Sequence, residues 1–295
     1  MGEGRAGALA DRAAVITGGG RGIGAAVALA FAQEGARLTL AARTASELER
    51  VADQVRSLGG TAHTAPGDVS KPGDVARIFD AALKKFGRLD VLVNAAGILG
   101  PIGSLWDVAA DEWLRAIQVN LYGTFLCCRA ALPRMIAQRR GKVINLSGGG
   151  ATSPFPQFTA YASSKAAVVR LTEALAEEVS SFNVQVNAIA PGMVDTSIHD
   201  QVLAAGERAG AQLARVRALR ERGQGRVSPE LPARLAVFLA SDQSGALSGK
   251  LIAAAHDGWQ AWTSSQIAGL MAAPWLTLRR MDRVTLRSLA TEVDD

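Results

Sequence analysis

What most restricts this chain is a glycine-rich turn between an apolar run and a helical pattern. Ala14-Val15-Ile16 reads as a strand, Thr17-Gly18-Gly19-Gly20-Arg21-Gly22-Ile23-Gly24 as a turn, and Ala25–Glu34 as a helix. Gly18, Gly22 and Gly24 let the backbone turn tightly and approach a phosphate. The helix behind them offers free N–H groups and a positive dipole end. The spacing is looser than GxGxxG, and its place after the first strand gives it weight.

The alternation then continues. Strands are expected at Arg37–Ala41, Ala62–Ala65, Val91–Val93, Lys142–Leu146 and Val184–Ala188. Helices are expected at Ser46–Leu58, Pro72–Phe86, Asp111–Gln138 and Tyr161–Ser181. Strands that alternate with helices predict a parallel, doubly wound α/β sheet covered on both faces, with ligands beyond the carboxyl ends of the strands. The polar, Arg-rich segment 196–228 is expected to be a less regular, mobile cover. The expected organisation is a flexible N-terminus over 1–10, one domain over 11–262 and a helical or irregular C-terminal extension over 263–295.

Composition excludes other classes. Hydrophobic residues make up 48% and charged residues 20%, which is too apolar for disorder. A net charge of +5 permits an anionic ligand without demanding one. The cluster Arg215, Arg217, Arg220, Arg222 and Arg226 lacks the interleaved aromatics of a single-strand binder and reads as a solvated face. No nucleic-acid partner is expected. The only cysteines, Cys127 and Cys128, are adjacent and read as packed thiols. With no apolar leader and no run long enough for a membrane span, the expectation is a cytoplasmic protein without a membrane partner. No Cys/His cluster offers a metal site.

A second signal is Tyr161-Ala-Ser-Ser-Lys165, which puts a phenol and an amine on one face of a helix. A lone YxxxK is common. This one lies on the helix after the Lys142–Ser147 strand, which brings the Tyr hydroxyl toward the strand-end crevice.

Taken together the motifs resemble the short-chain dehydrogenase/reductase family, in its single-domain branch with a TGxxxGxG turn. The likeness covers about Asp11 to Trp262. It rests on Thr17–Gly24, Gly67-Asp68-Val69, Asn94-Ala95-Ala96-Gly97, Asn120, Tyr161 with Lys165, and Pro191-Gly192 followed by Val194 and Thr196. The resemblance implies a Rossmann-type fold, a nicotinamide dinucleotide cofactor and interconversion of a carbonyl and an alcohol. It implies that Asp68 bonds the adenine, Asn94 steadies the central strand and Thr196 holds the nicotinamide carboxamide. Tyr161 is then the acid/base, and Lys165 lowers its pKa from about 10 and binds the nicotinamide ribose. Asn120 holds a water that completes a proton relay. Pairing of the Asp111–Gln138 and Tyr161–Ser181 helices across a two-fold axis is implied too, giving a homodimer or homotetramer.

Cofactor choice is read at the end of the second strand. An acid there binds a ribose 2′-hydroxyl, whereas an Arg accommodates a 2′-phosphate. Leu40-Ala41-Ala42-Arg43-Thr44 has no acid and one Arg, and Arg21 adds a second charge from the glycine turn. The expectation is NADP, with NAD possible.

The chain departs from the family at two points. Where a Ser is usual, Asn145-Leu-Ser147-Gly148-Gly-Gly150 carries Gly148. Ser147 is the nearest hydroxyl, Thr152 and Ser153 are alternatives, and a site without that donor is the third. The last case opens a second reading, a catalytically weak or inactive dinucleotide-sensing member. The other departure is His256-Asp257-Gly258-Trp259 in place of a glycine pair, followed by the extension. The substrate loops carry no chemical signature beyond Phe155, Phe158 and Trp106, which hint at a partly apolar substrate.

Overall fold

The computed structural model of the chain describes residues 7–223 and 225–279; residues 1–6 of the expected N-terminus and 280–295 of the expected extension lie outside them. The first half alternates as β1 (Ala13–Thr17), α1 (Gly22–Gln33), β2 (Arg37–Ala41), α2 (Ala45–Ser57), β3 (Thr61–Thr64), α3 (Pro72–Phe86) and β4 (Val91–Asn94). Apolar spacing explains the helices: Leu48, Val51, Ala52 and Val55 on α2, and Val75, Ile78, Phe79 and Ala82 on α3, repeat at one face and are buried. Pro72 opens α3, and Gly87, in the left-handed region at φ 72°, ends it.

The second half runs α4 (Ala110–Ile117), a π turn at Gln118–Tyr122, α5 (Gly123–Gln138), β5 (Gly141–Leu146), α6 (Thr159–Glu178), β6 (Val184–Ala190) and β7 (Met193–Val194). Then follow α7 (Ser197–Ala205), α8 (Ala211–Arg222), β8 (Arg226–Val227), α9 (Glu230–Ala240), β9 (Leu251–Ala253) and α10 (Ser264–Ala272).

Seven strands form one parallel sheet in the order β3-β2-β1-β4-β5-β6-β9, and β7 pairs with β8 apart from it. The central strands are mostly apolar because both faces are covered: β1 and β4 are buried at every residue, Thr17 and Asn94 included. One face packs on α1, α2 and α9, the other on α3, α5 and α6. The chain leaves β1 toward β2 and returns to β4 on the other side. A switch point therefore lies between β1 and β4, with a crevice at their carboxyl ends.

Three features differ from the sequence expectations. The helix expected over Asp111–Gln138 carries a π turn, a place where helices commonly shift register at functional positions. The cover expected to be irregular forms α7 and α8, because Val202, Leu213, Val216 and Leu219 give it a buried face. Helix α9 and strand β9 carried no expectation. The first is apolar nearly all round, with seven of its eleven residues buried, and the second has only three residues, so neither shows a clear period.

The extension packs on the domain as far as it is described. A capping box of Thr263 and Gln266 opens α10, whose Ile267 enters the core. The Leu276 carbonyl accepts from the Leu251 N–H at 2.7 Å and covers the free edge of β9.

Candidate active site

The glycine turn has the shape the sequence implied. A β-carbon on Gly18 would fall 2.7 Å from the Ala96 nitrogen, and one on Gly24 would overlap the Gly18 carbonyl. Gly18 and Gly22 adopt φ 67° and 55°, which other residues reach only with strain. The crevice above holds Gly18, Gly20, Arg21, Gly22, Ile23 and Gly24 on one wall, and Asp68, Val69, Ala95, Ala96 and Gly97 on another. Arg43, which follows β2, and Thr196, which follows β7, also line it. This glycine cradle and its flanking cations fit a dinucleotide diphosphate.

Several expected residues act from behind that wall. Thr17 is buried, and its hydroxyl donates to the Val93 carbonyl and accepts from the Ala96 N–H, both at 3.4 Å. Asn94 donates to Asn145 at 2.9 Å, and Asn145 donates to Thr172 at 2.9 Å, so three buried side chains tie β4, β5 and α6. Pro191, Gly192 and Val194 stay out of the crevice wall; they form the turn and short strand that deliver Thr196.

Asp68 accepts from the Ser70 N–H and hydroxyl and pairs with Arg115 at 2.5 Å. Against the opposing effect of burial, these bonds and the Arg115 charge hold its carboxyl down at about 2. It is therefore ionised across the neutral range.

Lys165 and Asn120 meet beside Gly97, and Tyr161 lies next to Lys165. A β-carbon on Gly97 would stand 3.3 Å from Asn120 Oδ1 and 3.5 Å from Lys165 Nζ. Lys165 is buried, donates to the Leu146 carbonyl at 2.7 Å and lies 5.6 Å from the centroid of the Tyr161 ring. Burial pushes Lys165 down to about 8 and Tyr161 up to about 12.

The π turn aims Asn120 inward. Its amide accepts from the Ile98 N–H at 2.8 Å and donates to the Ile98 carbonyl and the Ser164 hydroxyl, each at 2.9 Å. Both amide hydrogens are engaged, which leaves a relay water only the second lone pair of Oδ1.

A β-carbon on Gly148 would overlap the Tyr161 hydroxyl. Ser147 is buried, with its hydroxyl turned to the Lys165 carbonyl at 3.5 Å, so it packs β5 against α6. Thr152 and Ser153 are exposed.

Above Tyr161 the cover is apolar. Ile198, Val202 and Leu213 from α7 and α8 pack with Leu99, Phe155 and Phe158 around its ring. Trp106 instead faces solvent. The arginine cluster behaves as a solvated face: Arg215, Arg217 and Arg222 are exposed, while Arg220 bridges Asp195 and Asp200.

Sequence reasoning missed two charged residues here, Arg115 and Glu47. Arg115 is an ordinary helix cation until the fold sets it on Asp68. Glu47, in the first turn of α2, lines the crevice beside Arg21 and Arg43. Among the described residues no group of three or more His, Cys, Asp or Glu side chains could hold a metal ion. Cys127 and Cys128 are free and buried, and burial raises both thiols.

A doubly wound parallel sheet with a glycine cradle at its switch point is the architecture of a dinucleotide-binding protein. The short chain dehydrogenase family model matches residues 12–206, and the chain belongs to the short-chain dehydrogenase/reductase family. It is an NAD(P)-dependent dehydrogenase/reductase. An uncharacterised oxidoreductase of Mycobacterium tuberculosis (strain CDC 1551 / Oshkosh) is 39% identical over 245 residues, which is 83% of this chain and 90% of that protein. The crystal structure of levodione reductase superposes with a TM-score of 0.77 at 29% identity, covering 86% of this chain and 99% of that one. That of NAD+-bound xylitol dehydrogenase gives 0.77 at 28% identity, covering 83% and 98%.

Proposed function

We propose that this enzyme interconverts a carbonyl and a secondary alcohol on a small, partly apolar substrate, prefers NADP(H), and uses Tyr161 as its acid/base. The observation that carries the reading is that Lys165 and Asn120 meet next to Gly97, a residue that also lines the dinucleotide crevice, with the Tyr161 ring 5.6 Å from Lys165 Nζ. The cofactor, when bound, supplies or accepts the hydride.

The protein groups handle the proton. In reduction Tyr161 gives its phenolic proton to the carbonyl oxygen as negative charge develops there. With its hydroxyl pushed up to about 12, Tyr161 stays protonated at neutral pH, as a proton donor must. Lys165, anchored on the Leu146 carbonyl, then stabilises the phenolate electrostatically. A water on the free lone pair of Asn120 Oδ1 returns the proton from solvent. The reverse sequence serves oxidation. The apolar cover of α7 and α8 excludes bulk water from that exchange.

NADP(H) preference follows from Arg21 and Arg43 at the adenosine end of the crevice and from the lack of an acid between Leu40 and Thr44. The phenol itself is tested by Tyr161→Phe. Turnover should fall by roughly 10²–10⁴ while dinucleotide binding persists, because the ring still packs. Near-normal turnover in that variant would remove Tyr161 from the mechanism. The second reading, a weakly active dinucleotide sensor, is favoured by Gly148 alone. It predicts cofactor binding with weak or no turnover on any carbonyl or alcohol tested.

A further inference from the structure

The crevice that holds Arg21 and Arg43 also holds two acids, Asp68 and Glu47. Glu47 lines it together with Arg21, Arg43 and Thr44. Its carboxylate reaches Arg21 at 3.5 Å, and its side chain is 32% exposed against 58% for Arg21. The glycine turn presses on it: a β-carbon on Gly20 would fall 3.0 Å from the Glu47 β-carbon and 3.5 Å from Oε2. The same turn is pinned from α2 by Arg50, whose guanidinium donates to the Gly20 carbonyl at 2.9 Å. The carboxylate is thus seated against the turn, in the first turn of α2, where the helix dipole favours its negative charge.

We infer that Glu47 is a specificity-determining residue that limits discrimination between phosphorylated and unphosphorylated dinucleotides. This rests on the proposed role of Arg21 and Arg43. A 2′-phosphate set between those arginines brings its negative charge up to Glu47 and must compete with it for Arg21. An unphosphorylated ribose instead offers hydroxyl donors, and Glu47 beside Arg21 can accept from them, whereas Asp68, the other acid among the described lining residues, is engaged by Ser70 and Arg115. The acid absent from the end of β2 is thus supplied one helix turn later, from α2. The enzyme then takes both dinucleotides, with a smaller 2′-phosphate preference than its two arginines alone would produce.

The test uses binding by the full chain, so it does not depend on turnover. Affinities for 2′,5′-ADP and 5′-AMP are measured by titration calorimetry for the wild type and for Glu47→Gln. Glu49→Gln serves as control: it removes the same charge from the same helix, at a residue that faces Arg56 and Thr64. Glu47→Gln should tighten 2′,5′-ADP by about threefold to tenfold, the range expected for relieving one partly solvated like-charge contact. It should weaken 5′-AMP by a few-fold, and Glu49→Gln should leave the ratio of the two affinities unchanged. If Glu47→Gln moves that ratio no further than Glu49→Gln does, the inference is overturned. The arginine reading is judged separately: a wild type that binds 5′-AMP more tightly than 2′,5′-ADP, or an Arg43→Ala variant with an unaltered ratio, would refute it. Neither result alters what Glu47→Gln reports.

Discussion

The Tyr161 hydroxyl occupies the space in which a side chain on residue 148 would begin, so the present position of Tyr161 requires glycine at 148. A residue that reads as a loss in the sequence is a packing partner in the fold.

That relationship reverses the intuitive experiment of restoring the hydroxyl. Gly148→Ser adds a β-carbon where the phenol already sits, and such overpacking typically costs about 1–3 kcal/mol. If Tyr161 takes up the displacement, kcat should fall by roughly tenfold to a hundredfold, and Gly148→Ala should fall similarly. Ser147→Ala should leave kcat within a few-fold, because its hydroxyl serves the Lys165 carbonyl. Steady-state kinetics on one working substrate decides; a Gly148→Ser variant faster than wild type would overturn the packing argument.

A pH signature should come from Lys142. It is buried at the end of β5 remote from the crevice, donates to Ser244 and to the Gly245 carbonyl, and is pushed down to about 8, chiefly by burial. Its folded pKa lies below the unfolded value of about 10.4, so the unfolded chain binds more protons between those limits. Stability from this residue therefore rises as pH climbs from about 8 toward 10, by at most about 3 kcal/mol, and the cost of the buried charge is fully present below 8. Lys165 contributes in the same direction. Urea midpoints from pH 7 to pH 10 should rise less in Lys142→Met than in wild type; parallel curves would count against it.

Self-association should use the outer face of α4 and α5. Leu114, Tyr122 and Phe125 are exposed there, and the last two rings stack at 5.8 Å. An apolar stripe of this kind is covered in most stable proteins. Light scattering at micromolar concentration should give a dimer or tetramer for wild type and a smaller species for Phe125→Asp. A monomeric wild type would contradict the assignment.

The fold was legible to the extent that it depends on period and punctuation. The glycine turn, the apolar runs at β1 to β6 and the spacing on α2 and α3 are local properties of the chain, set by which residues can turn, extend or present one face. The same locality exposed Tyr161 and Lys165 on one helix face and the arginines near the glycine turn. Strand β9 and helix α9 were not legible, because three residues or an all-apolar helix carry no period.

The remaining decisions belong to the tertiary structure. Only the packing of β5 against α6 sets Gly148 under the Tyr161 hydroxyl and turns Ser147 toward the Lys165 carbonyl. Only the docking of α2 on the glycine turn sets Glu47 beside Arg21, although 26 residues separate them in sequence. Burial likewise moves Tyr161 up and Lys165 down. The sequence determined which groups exist and on which elements they lie. Contact between elements, and the removal of water that comes with it, decided which groups meet and what each can do.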